Sequence, residues 1–489
     1  TKKFAIRNFL LFKENSVYDV FKIKETERII RAQNFVNTVT ITEKFTSPQA
    51  DSVDVFIRVL DTWSSIPKFS ISNTRIGVGF RDRNVFGYGH QLDYKFTNRF
   101  TDGKNANDIA YSLPNLKNTF IRTTLQYAID LDNYYTKGIT VERPFYSPTT
   151  KWAGGIIVGQ QFRKDSLINT INEYQLQNFK VSTHDFWLGK AFNVIKGNYE
   201  EANTTNLIVS GRYLNMKYNE SPIEELDSIN FYSSEKLFLT GIGLNSREFF
   251  QDRYIFKNGI IEDVPIGSIY GITAGYQFKY TIWRPYLGSQ FSFGTYHKWA
   301  FLSSNFEIGT YFKGGKTEQT TFSFQANYFT NLIDLGNWKI RQFIKPQVLI
   351  GINRQNSIGD QLSINGVNGI QGINSNLFGT NKMVLTFQTQ SYAPKDIAGF
   401  RFNPFFNYSF ALISTEVDGL NQNKSFSRIG IGLLISNDYL VFSSFQISLS
   451  YYPTIPLVGD NVFRTNAFQT ADFGFQSFEL AKPKTVIYK

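Results

Sequence analysis

Short runs that alternate apolar with small polar residues recur along most of the chain. Leu287, Phe291 and Phe293 oppose Gly288, Gln290, Ser292 and Gly294. Phe322, Phe324, Ala326 and Tyr328 oppose Ser323, Gln325 and Asn327. Met383, Leu385 and Phe387 oppose Thr386, Gln388 and Gln390, and Phe445, Ile447, Leu449 and Tyr451 oppose Gln446, Ser448 and Ser450. A period of two predicts strands with one greasy and one polar face. In a soluble sandwich the polar face would carry more Lys and Glu. Gln, Ser, Asn and Gly suit a hydrated interior better, with the aromatic face turned to lipid. About sixteen to eighteen such segments are expected, and in lipid an even closed set satisfies every backbone group. The polar connections near 101–118, 220–234, 250–265 and 415–424 are expected to face outward.

Residues 1–62 break this pattern. Residues 5–12 read as a short apolar helix, ended at Asn15 and Ser16. Over 19–35, Ile23, Ile30 and Ala32 are set against Lys22, Lys24, Glu25, Glu27, Arg28 and Arg31, after an N-terminal signal at Asp19. That predicts an amphipathic helix with one charged face. Val39 and Ile41 alternate with threonines; Val53, Val55, Ile57 and Val59 alternate with Asp54, Phe56 and Arg58. The order is helix, helix, strand, strand. Residues 63–74 read as a hinge, with Trp63 suited to a membrane interface and Pro67 ending the strand. Residues 75–80 read as the first barrel strand and 91–100 as the second, so the barrel domain is 75–489.

Composition supports a membrane barrel. Of 489 residues, 17% are aromatic, 48 Phe and 27 Tyr among them, yet mean hydropathy is −0.25. Those rings are spread along the chain among Ser, Thr, Asn and Gln, as a lipid-facing exterior and wet interior require. No apolar run of about 18 residues reads as a membrane helix. Cysteine is absent, which excludes disulfides and thiolate metal sites. His90, His184 and His297 are too scattered for a zinc site or an acid–base pair. No nucleophile-elbow serine and no phosphate loop is present, so no enzyme and no cofactor is expected. The net charge of +11 is dispersed. It reads as solvation of loops and interior, or as contact with anionic lipid or lipopolysaccharide, and not as a nucleic-acid surface.

Residues 364–379 stand apart. They contain four glycines and four asparagines and lie between two good strands. Both residue types favour turns. Val367, Ile370, Ile373, Leu377 and Phe378 nevertheless keep the stretch apolar. A loop 356–380 packed inside the barrel is expected.

The order of elements in 1–62 resembles a POTRA domain, the small periplasmic module of the outer-membrane assembly-factor superfamily. Gly77 and Gly79 in the first strand, then Asp82, Asn84 and Phe86-Gly87-Tyr88-Gly89, look like the opening hairpin of the BamA/TamA-like surface-antigen barrel. The resemblance implies an all-β transmembrane antiparallel barrel of about sixteen strands. It implies a small α+β domain in the periplasm and residence in a Gram-negative outer membrane. A POTRA domain normally has one more strand before its first helix, so the chain is expected to extend upstream of Thr1. In the family a lumenal loop carries Arg-Gly-aromatic, and a carboxylate often waits on the wall. Here the matching stretch is Gly369, Ile370, Gln371, Gly372 and Ile373, and the matching wall residue is Asn407. A charged pair has become a neutral amide pair, which avoids stranding one charge.

The resemblance further implies a lateral seam between first and last strands. Gly77 and Gly79 would weaken one side. A phase slip across Phe473, Phe475 and Phe478, followed by Pro483, would weaken the other. Val53, Val55, Ile57 and Val59 would offer an edge for strand addition by unfolded outer-membrane clients or accessory subunits. The implied function is insertion or translocation of outer-membrane proteins. Two alternatives stay open: an anchor for an upstream passenger of patatin type, and a solute pore.

Overall fold

A computed structural model of the protein describes every residue except 48–50, 169–172, 195–203, 366–368, 374–376, 415–423, 438–443 and 455–461. The chain begins with α1 (Lys3–Arg7) and α2 (Val20–Arg31), followed by β1 (Val36–Phe45) and β2 (Val53–Asp61). Asp19 caps α2, its Oδ1 accepting from the Lys22 N–H at 3.2 Å. β1 and β2 pair antiparallel, with Val39 opposite Val59 and Ile41 opposite Ile57. Ile29, Ile30, Phe35, Val36 and Val39 form a core with Phe9.

That core is shared with the barrel. Phe120, from a turn of the wall, is buried among the module's residues and stacks on Tyr146 at 3.7 Å. The charged face of α2 is not simply solvated, as its pattern suggested. Glu25 is buried and pairs with Arg28, which donates to the Tyr146 carbonyl at 2.9 Å and lies 4.0 Å over the Phe249 ring. Arg31 makes two bonds to Asp263, at 2.8 and 3.0 Å. A charged helix face is ambiguous in sequence: the same residues serve solvent or a polar rim.

The rest of the chain is a closed antiparallel barrel whose strands follow one another in sequence order. It starts earlier than expected. Residues 65–71, read as a hinge, form β3 (Ser65–Ile71), which pairs with β4 (Arg75–Val85). β4 pairs in turn with β5 (His90–Arg99). Pro67 misled the reading; proline is tolerated at a sheet edge or closure, where a missing N–H costs little. The wall order continues to Phe463–Thr465 and back to β3. Among the described residues it holds more strand segments than the sixteen expected. Heights differ around the ring. The strands Glu235–Arg253 and Ile261–Lys279 have 19 residues each, whereas β3 has 7 and Phe463–Thr465 has 3.

The alternation sorts residues by face as the sequence pattern requires. Along Glu235–Arg253, Phe238, Ile242 and Leu244 are exposed outside, and Leu237, Leu239, Asn245 and Arg247 are buried inside. The inner face is hydrogen-bonded: Asn305 accepts from Ser292 at 2.5 Å and from Gln290 at 3.0 Å. Connections alternate between the two mouths, and the N-terminal module docks at the mouth that holds 86–89, 114–121 and 254–260. The 250–265 connection therefore lies on the module's side, through Asp263, and not on the opposite side with 221–234. Within 101–118, Asn105–Leu113 is itself a strand.

The last strand of the sequence reading is not a strand. Phe473, Phe475, Phe478 and Pro483 lie in a segment, 466–489, that leaves the wall and runs through the lumen. Asn466, Gly474 and Phe478 have positive φ (49°, 61° and 23°), and Pro483 lacks an N–H, so no ladder is sustained. The slipped alternation falls inside this lumenal segment, beyond the last wall strand, Phe463–Thr465.

Candidate functional site

Two segments fill the lumen and define the site. The first is the loop that follows Trp338–Ile352. Ile364, Ile370 and Ile373 are buried against Val384, Ala411, Ile413, Phe426 and Tyr452 of the inner wall. Leu377 packs on the same cluster and Phe378 is half-buried, in a two-residue bridge with Leu362–Ser363. Val367 lies outside the described residues. The loop's stem is fixed by Asp360, which pairs with Arg354 and accepts from the Gln355 N–H at 2.7 Å and from Gln319 at 3.0 Å.

The geometry relates Gln371 and Asn407 through a third residue. Arg428, on the strand Lys424–Asn437, donates to the Gln371 carbonyl at 3.3 Å and to Asn407 Oδ1 at 2.8 Å. It also reaches Ser409 at 3.1 Å and lies 4.2 Å from the Phe468 ring. Tyr452 donates to the same Gln371 carbonyl at 2.8 Å. Asn407 donates to Gln388 Oε1 at 3.1 Å. Gly372 turns at φ 89° directly beneath the Tyr452 hydroxyl, where a side chain has no room. The cation is on the wall and the loop offers its backbone, which reverses the expected arrangement. Gly369 belongs to the same stretch.

The second segment, 466–489, crosses the inner wall from the last strands to Asp185 and Arg212, bends at Lys482, and returns past Tyr286 to Gly351 and Lys382, which donates to the Lys489 carbonyl at 3.2 Å. Wall side chains bond its backbone. Gln446 donates to the Phe468 carbonyl at 2.7 Å, Gln388 to Thr470 at 3.1 Å and Lys345 to Phe473 at 2.8 Å. Asn245 donates to Phe478 at 2.6 Å, and Arg212 to Pro483 at 3.1 Å. The Val486 N–H donates to the Tyr286 hydroxyl at 2.9 Å. Ion pairs add to these: Lys482 with Asp185 at 2.6 Å, Arg247 with Glu479 at 3.2 Å and Lys484 with Glu307 at 3.3 Å. Phe478 lies against Gly294 and Tyr488 against Gly351, positions where any Cβ would collide with the ring. Phe473 and Phe475 join Phe301, Phe329 and Phe343 in an apolar patch inside the wall.

The residues expected at a seam are elsewhere. Gly77 faces Ser70 on one side and Thr97 on the other, and Gly79 faces Lys68 and Lys95, so both lie in a strand paired along both edges. Ring closure falls instead between β3 and Phe463–Thr465. In the N-terminal module, Ile57 and Val59 turn inward onto the core, and Val53 and Val55 are half-buried on the same face. β2 spends one edge on β1; among the described residues no strand occupies the other. At the far mouth, Arg99 bridges Asp102 at 2.7 Å and Asp132 at 2.8 Å. The Arg99 hydrogen bond holds the Asp102 carboxyl down at about 2, and Asp132 is lowered by the same partner.

Sequence reasoning missed Arg428, Tyr452, Arg212, Asn245, Tyr286 and Lys345. The available signal was a lone Arg, Asn or Lys at an inward position among Gly and Ser, as with Asn245 and Arg247 beside Gly241 and Gly243.

No family model matches the sequence, and no curated protein matches it. Among solved structures the chain is similar to CdiB from Acinetobacter baumannii, at 10% identity over 95% of this chain and 70% of that one, with a TM-score of 0.42. It is similar to CdiB from Escherichia coli at 12% identity, over 94% and 72%, with a TM-score of 0.46. It is also similar to BamA from Haemophilus ducreyi lacking POTRA domains 1–3, at 12% identity over 95% and 80%, with a TM-score of 0.32.

Proposed function

We infer that the chain is an outer-membrane barrel that inserts or translocates other polypeptides. The observation that carries this is the shape of the wall. A closed barrel with an apolar, aromatic outer face, 19 residues tall on one side, closes through strands of 3 and 7 residues. Fewer ladder bonds hold that junction, so it is where the ring opens at least cost and where a client strand can pair. The surroundings are lipid and lipopolysaccharide on the outer face. The N-terminal module is POTRA-like and lies in the periplasm, with the open edge of β2 available to clients or accessory subunits. No helix among the described residues is long and apolar enough to cross a membrane; the strands are the spanning elements.

Depletion of the protein is expected to lower the level of other outer-membrane proteins, or the export of one, while lipid composition stays constant. Unchanged outer-membrane and exported proteins on depletion would reject the reading. A solute pore is the competing role. The loop 356–380 and segment 466–489 obstruct the lumen, so planar bilayers should show small or flickering conductance; a large, stable open state would favour the pore.

A further inference from the structure

We propose that the inner wall beneath 466–489 is a binding track for an extended polypeptide, and that this segment is its resident occupant. The proposal rests on the translocation reading above and names the surface a client would follow. Three features of the contact carry it.

First, the wall reads backbone. Gln446, Gln388, Lys345, Asn245 and Arg212 each donate to a carbonyl of the segment, and Tyr286 accepts one of its N–H groups. Such bonds do not depend on which side chains the occupant carries. Second, the side-chain sockets are generic. Hollows above Gly294 and Gly351 take rings, and the apolar patch of Phe301, Phe329 and Phe343 takes two more. Rings spaced along an extended chain are what an unfolded outer-membrane strand presents. Third, the occupant is not woven into the barrel. Beyond Thr465 no described residue is in a strand, so the segment can leave without breaking a ladder. Its charges meet opposite charges on the wall, which fixes the register of an occupant that carries them at the same spacing.

The test removes 474–489 and measures binding of a fluorescent synthetic peptide of residues 474–489 to the purified barrel. A second peptide keeps the rings of Phe475, Phe478 and Tyr488 and the charges of Glu479, Lys482 and Lys484, and randomises the rest. Both are expected to bind saturably, within tenfold of each other, and the full chain to bind neither. Asn245→Ala with Gly294→Leu in the shortened barrel should weaken both at least tenfold. Absence of binding, or binding of the native peptide alone, overturns the track.

A second measurement covers a shortened barrel that fails to fold. A Cβ built on Gly241 lies 3.5 Å from the Pro483 Cβ, within disulfide range, and the chain has no other cysteine. In the full chain, amides of 474–489 should exchange while the strand Ile261–Lys279 stays protected. Oxidation of the Gly241→Cys, Pro483→Cys pair should slow that exchange at least tenfold. Exchange of segment and wall together overturns the proposal. Neither readout depends on the depletion phenotype, so track and function fail separately.

Discussion

Arg428 Nη1 donates to the Gln371 carbonyl oxygen at 3.3 Å, so the wall holds the loop by its backbone. The guanidinium is buried, and its bonds go to neutral acceptors: a carbonyl, the Asn407 amide oxygen and the Ser409 hydroxyl. A cation in that position is costly to desolvate and is retained because the dipoles around it are aligned. The loop side chain at 371 is then free to vary, since the atom being gripped is present at every residue.

Arg428→Met should therefore release the loop. It leaves the Asn407 oxygen with only the longer Ser409 hydroxyl bond, at 3.3 Å, and removes charge-assisted bonds, at about 1.5–3 kcal/mol each, offset in part by no longer burying a cation. A lower melting temperature and protease cleavage within 364–373 are expected. Gln371→Ala, which leaves the carbonyl in place, should change both by little. If both variants are equally cleaved, the grip is through the side chain and the assignment is wrong.

The wall was legible in sequence because its signal is local. Leu287 against Gly288, or Phe445 against Gln446, reports the face of a strand at once, since a one-residue slip would exchange lipid for water. Asp19 marked its helix for the same reason. What failed needed distant partners. Phe473, Phe475 and Phe478 look like strand residues until Gly294 and the Phe343 patch are known to offer them hollows. Arg31 looks solvated until Asp263 faces it. Residues 65–71 carry Pro67 and two serines, and only β4 makes them a strand. Arg428 was hidden by an expectation that placed the charge in the loop.

The outward direction of the greasy face can be tested at Ile272, which is exposed midway along Ile261–Lys279. In a bilayer, Ile272→Arg should cost about 2–4 kcal/mol, as measured by urea unfolding from lipid vesicles. Ile272→Phe should cost little. A solvated face would tolerate the arginine within about 0.5 kcal/mol, and that result would remove the membrane reading.

Docking of the N-terminal module should depend on Arg31 and Asp263, whose side chains are 6% and 13% exposed. Removing Arg31 leaves a largely buried Asp263 carboxylate and should cost about 3–5 kcal/mol; removing Asp263 should cost less, because Glu27 still holds Arg31 at 3.0 Å, and removing both should cost less than the two single changes together. A spin label at Phe56, exposed on β2, reads the outcome as mobility. Arg31→Met and Asp263→Asn should each loosen it, and the double variant should be no looser than either. Additive loosening would mean that the pair does not act as one contact.

Asn407→Asp is the sharpest test of the lumen's electrostatics. The Asn407 oxygen already lies 2.8 Å from the Arg428 guanidinium, so an aspartate there needs no rearrangement to form an ion pair. The guanidinium already makes that bond charge-assisted; an aspartate turns it into a full ion pair, which must outweigh burying the new carboxylate, and Arg428 is desolvated in either case. The cost is local: Asn407 donates to Gln388 at 3.1 Å, and a carboxylate cannot. Gln388 would have to turn its amide toward the new charge and give up the Thr470 carbonyl, which it now holds at 3.1 Å. A net gain of about 1 kcal/mol is expected, seen as a higher temperature for loss of the compact form on electrophoresis. The same exchange should loosen 466–489 near Thr470, so hydrogen exchange there should rise while the barrel becomes harder to melt. Destabilisation throughout would mean that the Arg428 charge is already matched elsewhere and that the wall around Asn407 does not tolerate a second one.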